Sequence, residues 1–98
     1  MTIEVKKNGN EVCVVLNGRL DTITAPSLEK TINEEVDGAE ALVLDMKGID
    51  YISSAGLRVL LGTQKKMNKA GSMKLTGVCE EVMEVFEMTG FADILTIE

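Results

Sequence analysis

Ser53 and Ser54 stand side by side, followed by the small residues Ala55 and Gly56, just where an apolar run gives way to helical spacing. A serine at a helix start has an ordinary use. Its oxygen accepts a bond from one of the four unpaired backbone N–H groups, and losing it costs roughly 0.5–2 kcal/mol. One hydroxyl suffices for that. The second, beside Ala55 and Gly56, makes a flat tip that can enter a kinase's active site. The helix start also tolerates the product, because free N–H donors and a partial positive charge meet the added phosphate. One of the two, Ser53 or Ser54, is therefore a candidate modification site.

Carboxylates are the other candidates. Asp21, Asp45 and Asp50 fall near expected strand ends and in principle form a metal or acid/base cluster. The chain has no His, which removes the usual general base and the commonest metal ligand. It also has no Gly-rich phosphate loop, so Asp50 reads as a loop-surface residue and Asp45 as a turn former. A binding module is expected rather than an enzyme, with no metal and no cofactor. Cys13 and Cys79 match no ligand spacing, and Cys13, within Val12–Leu16, reads as a small buried hydrophobe.

The elements that position these residues follow from periodicity. Ile3–Lys6 alternates, Lys7-Asn8-Gly9-Asn10 reads as a turn, and Val12–Leu16 follows as a more buried strand, which together predict a hairpin. Asn17-Gly18 is expected to end that strand, with Arg19-Leu20-Asp21 leading into a loop. Thr24-Ala25-Pro26 opens a helix whose stripe is Leu28, Ile32 and Val36, closed by Asp37-Gly38. The continuous apolar run Ala41–Leu44 suits a strand covered on both faces. Asp45–Ile52 is expected to be the connection to a second helix carrying Leu57, Leu60, Leu61, Gln64 and Met67 and ending at Ala70-Gly71. Met73–Thr76 is a short strand. Val82, Val85 and Phe86 mark a third helix ending at Gly90, and Ile94–Ile97 closes as an edge strand. Met46, Met67, Met73 and Met83 are expected to fill the core in place of aromatics.

After the hairpin the order is β-α-β-α-β-α-β, and such crossovers give parallel strands. The expected fold is one α/β domain over residues 1–98, an open mixed sheet with an N-terminal hairpin and helices packed on it. Residues 1–98 are enough for a single core but not for a second domain. The net charge of -6 disfavours nucleic acid and anionic lipid as partners, and 3% aromatic content leaves few rings for base stacking. No apolar stretch approaches the roughly 20 residues of a membrane span, and Met1–Val5 lacks a signal pattern, so a cytoplasmic monomer is expected.

Four segments in order carry a resemblance: Gly18-Arg19-Leu20-Asp21 with Thr24-Ala25-Pro26; Asp50-Tyr51-Ile52-Ser53-Ser54-Ala55-Gly56-Leu57; Lys69–Leu75; and Phe86–Phe91. Together they resemble a stand-alone STAS domain of the anti-sigma factor antagonist family. That resemblance implies partner switching. The unphosphorylated domain binds an anti-sigma factor that is also a serine kinase of the GHKL type; phosphorylation releases it, and a PP2C-type phosphatase resets it. The family's phosphorylated position falls on Ser54, with Ser53 as second choice, and its loop acid on Asp21. Asp21, Thr22, Ser53, Ala55, Gly56, Leu57, Arg58 and Met88 are the implied partner-binding residues. Ser53, Ala55 and Arg58 differ from the best-known members and resemble another common variant. An adaptor role in a different phospho-signalling pathway, or constitutive ligand or partner binding, is the alternative.

Overall fold

The computed structural model describes residues 1–98. The chain begins with β1 (Thr2–Asn8) and β2 (Glu11–Leu20), antiparallel about a turn at Gly9-Asn10. Helix α1 (Ala25–Glu35) leads to β3 (Ala41–Ile52), α2 (Ser54–Ala70), β4 (Ser72–Thr76), α3 (Glu80–Thr89) and a short 3-10 turn at Phe91–Asp93. The sheet order is β1-β2-β3-β4, with β2, β3 and β4 parallel. The hairpin, mixed sheet and crossovers are those expected from the sequence.

Burial explains the helices. Leu28, Ile32 and Val36 of the first stripe are buried, as are Leu57, Leu60, Gln64 and Met67 of the second. Val82 and Phe86 anchor α3, which ends where Gly90 takes a left-handed φ of 82° that a side chain rarely adopts. Met46, Met67 and Met73 lie in the core and Met83 packs against it.

Three expectations are corrected. β2 does not end at Asn17-Gly18, and Asp45–Ile52 is not a connection: both strands continue, paired as far as Leu20 and Ile52. Register shifts place extra β3 residues opposite β2, so Met46, Ile49 and Ile52 are buried at a spacing of three rather than two. Second, the sheet is covered on one face. Leu42, Leu44 and Met46 are buried, whereas the alternate residues Ala41, Val43 and Asp45 are only half-buried. Cys13 shares that second face and is half-buried, not sealed in the core. Third, the closing strand shrinks to one bridge between Leu75 and Ile97.

Candidate functional site

The C-terminal ends of β2 and β3 lie side by side, because Leu20 pairs with Ile52. One residue further on, the Ser53 backbone N–H donates to the Leu20 carbonyl at 2.9 Å. This bond fixes where α2 starts relative to the loop that follows β2. Ser53 is in extended conformation and caps the helix, its Oγ accepting from the Gly56 N–H at 3.4 Å. The capping position is thus occupied by the first serine, and Ser54 is left as the first helical residue, exposed to solvent.

Gly56 holds this tip against the sheet. A Cβ there would lie 2.7 Å from the Leu20 side chain, 2.9 Å from that of Ile52 and 3.0 Å from the Leu20 carbonyl oxygen. Leu57 belongs to the core. These two residues therefore position the helix start, while Ala55 is half-buried and Arg58 exposed. Acidic residues are absent from the first turn of α2, so a phosphate on Ser54 meets the helix N-terminus and no like charge on that turn.

Asp21 shapes the neighbouring loop. Its Oδ1 accepts from the backbone N–H groups of Ile23 and Thr24, each at 3.0 Å. The Thr24 hydroxyl accepts from the Asp21 N–H at 2.9 Å and donates to the Arg19 carbonyl at 2.7 Å. The Thr24 backbone N–H, foremost among these groups, holds the Asp21 carboxyl below its ordinary value. Its Oδ2 lies 3.8 Å from the Arg19 Nε. The guanidinium of Arg19 in turn lies over the Tyr51 ring, 4.0 Å from its centroid.

Of the residues expected here, Asp21, Thr22, Ser53, Ser54, Ala55 and Arg58 come together at one edge of the sheet. Thr22, Ala25, Pro26, Glu29, Ala55, Arg58 and Val59 line a groove of about 310 Å³ between α1 and α2. Met88 is not part of this arrangement. The Cys79 thiol at the start of α3 meets the Ile49 carbonyl at 3.4 Å, and the helix then runs back toward the opposite edge, with Met88 exposed near its far end. Asp21, Asp45 and Asp50 form no metal-binding group: Asp45 accepts from the Lys47 N–H at 3.0 Å instead.

Sequence reading missed Ile23, Arg19 and Tyr51. Ile23 is 85% exposed in the Asp21 loop, an apolar side chain offered to solvent. The available signal was an isoleucine in a loop outside any helical or strand period. Arg19 and Tyr51 face each other only because β2 and β3 extend further than their patterns suggested.

A family model described as the STAS domain matches residues 2–98. The chain is 36% identical over 99 residues to the anti-sigma-B factor antagonist of Bacillus subtilis strain 168, covering 99% of this chain and 90% of that protein. It is similar in structure to an anti-sigma factor antagonist from Mycobacterium paratuberculosis, with a TM-score of 0.88, 27% identity and coverage of 98% and 83% of the two chains. It shares its fold with the phosphorylated form of the Bacillus cell fate determinant SpoIIAA, with a TM-score of 0.76, 18% identity and coverage of 99% and 91%.

Proposed function

Because this chain belongs to the STAS domain family, whose anti-sigma factor antagonists are regulatory rather than catalytic, we propose that it is an anti-sigma factor antagonist working by partner switching. The unphosphorylated domain binds an anti-sigma factor that is also a GHKL-type serine kinase. The kinase phosphorylates Ser54 and lets go; a PP2C-type phosphatase restores the binding form. The exchange takes place in the cytoplasm, and residues 1–98 act as one domain.

The observation that carries this reading is the division of labour between the two serines. Ser53 caps α2, so the Ser54 hydroxyl is exposed and has no hydrogen-bond duty in the fold. A kinase can take that hydroxyl without unfolding its substrate. The added phosphate brings about -1.5 to -2 charge, which the helix N-terminus accommodates. The partner surface does not. Against an acidic pocket, each like-charge pair at about 4 Å costs about 4 kcal/mol in a medium of effective dielectric 20. A few kcal/mol is a hundredfold or more in affinity.

Thr22, Ala55 and Arg58 line the groove between α1 and α2, and the exposed Ile23 of the Asp21 loop is the apolar anchor of the proposed docking surface. Incubating the protein with ATP and the serine kinase encoded in its own genome, followed by mass mapping, should place a single phosphate on Ser54. Phosphate on another residue, with Ser54 untouched, contradicts the proposal.

A further inference from the structure

A second cavity, of about 390 Å³, lies at the edge of the sheet opposite Ser54. It is lined by Gln64 and Asn68 of α2, Ser72 and Met73 of β4, and Val43 and Thr96 among others. Gln64 is only 4% exposed, and its Oε1 is buried without a hydrogen-bond partner while Nε2 donates to the Asn68 Oδ1 at 2.8 Å. Exchanging O and N on the amide moves the defect to the nitrogen and does not remove it.

The β4 backbone contributes a second unpaired set. Ser72 donates toward β3, to the Glu40 carbonyl, and Leu75 donates the other way, to Thr96. Backbone groups alternate in direction along a strand, so Met73 faces the same side as Leu75. The C-terminal segment bridges β4 at Leu75, through the Thr96 carbonyl and the Glu98 N–H. Met73 is 3% exposed and lines the cavity, and the C-terminal segment makes no backbone hydrogen bond to it. Buried polar groups without partners are uncommon, and two in one cavity point to an occupant.

We propose that this cavity binds a ligand carrying a primary carboxamide. Such a group has a carbonyl to accept from the Met73 N–H and two N–H donors, one for the Met73 carbonyl and one for the Gln64 Oε1. A single water takes about 30 Å³, far less than the space present, and small-molecule sites start at roughly 300 Å³. The carboxamide has two possible sources: a free small molecule, or an Asn or Gln side chain of a peptide. This site is independent of phosphorylation at Ser54.

The test is an NMR titration of the 15N-labelled protein. The probes are propionamide for the free source and acetyl-Gly-Gln-Gly-amide for the peptide source, with propionate and the Glu-containing peptide as controls. Saturable shifts of the Met73 amide and of the Gln64 and Asn68 side-chain NH2 groups are expected with at least one amide probe and with neither control; the probe that binds identifies the source. Gln64→Met, apolar and similar in length, should weaken binding about tenfold, the worth of one hydrogen bond, and should raise the melting temperature of the free protein. If that variant does not fold, intermolecular NOEs from the bound probe to the Val43 and Met73 methyl groups of the unmodified protein decide the matter. Absence of saturable shifts with both amide probes, equal binding of propionate, or unchanged affinity in Gln64→Met overturns the proposal.

Discussion

Ser54 and Arg58 stand one helical turn apart on α2, both exposed, and no acidic side chain lies within ion-pairing distance of the Arg58 guanidinium. Residues four apart on a helix are neighbours, and an acid preceding a base in that spacing is the favourable order. Phosphoserine at Ser54 therefore has an unengaged arginine within reach as well as the helix N-terminus. Its second pKa, ordinarily about 6, is predicted to fall. In 31P titrations of the phosphorylated protein, Arg58→Gln should raise that pKa by about 0.3, the equivalent of one helical ion pair. Identical curves would mean that Arg58 serves only the partner.

The cap predicts a different outcome at the neighbouring residue. Ser53→Ala removes the bond to the Gly56 N–H, a long one at 3.4 Å. The cost should be at the low end for a cap, about 0.5–1 kcal/mol in urea denaturation. Ser54→Ala should leave stability unchanged within about 0.5 kcal/mol.

Two glycines of α2 should respond with opposite signs. Gly56→Ala drives a methyl into Leu20 and Ile52, and overpacking of this kind costs about 1–3 kcal/mol. Gly62 is exposed, and a methyl added there would have nothing within 4 Å, so Gly62→Ala should stabilise by about 0.5–1 kcal/mol. Thermal melts of the two variants check both.

Acid should loosen the Asp21 loop. The Thr24 and Ile23 N–H groups hold the folded carboxyl below the 3.8 of a free aspartate. A carboxylate lowered on folding contributes stability above its unfolded pKa and loses it as pH falls through the folded one. The Asp21 contribution should thus be complete at neutral pH, begin to fall as pH approaches 3.8, and be lost as pH drops further through the lower folded value. Asp21→Ala should flatten that part of the stability–pH curve, whereas Asp21→Asn, which keeps an accepting oxygen, should preserve the loop at neutral pH.

Much of this was legible in the residues. The stripes Leu28-Ile32-Val36 and Leu57-Leu60-Leu61-Gln64-Met67 have the helical period, and all but Leu61, which is half-buried, are buried as that period requires. Gly38 and Gly90 mark stops, and both adopt positive φ. The ends of β2 and β3 were not legible, because bulges change the period. Met46, Ile49 and Ile52 are spaced by three, which matches neither strand alternation nor a helix of that length. The stacking of Arg19 on Tyr51 was hidden for the same reason, since it depends on the paired register. Family likeness alone puts Met88 near the serines, but the direction of α3 carries it away. The role of Asp21 was half visible. Its position beside the site could be anticipated, whereas its bonds to Ile23 and Thr24 depend on backbone geometry that residue types do not encode.

The most direct test of the account compares affinities. The protein, prepared with Ser54 unmodified and with phosphoserine at that position, is titrated by calorimetry against the anti-sigma factor kinase from its own genome. The account predicts binding of the unmodified form and affinity at least about a hundredfold weaker for the phosphorylated form, the worth of a few kcal/mol. Equal affinities for the two forms would contradict it.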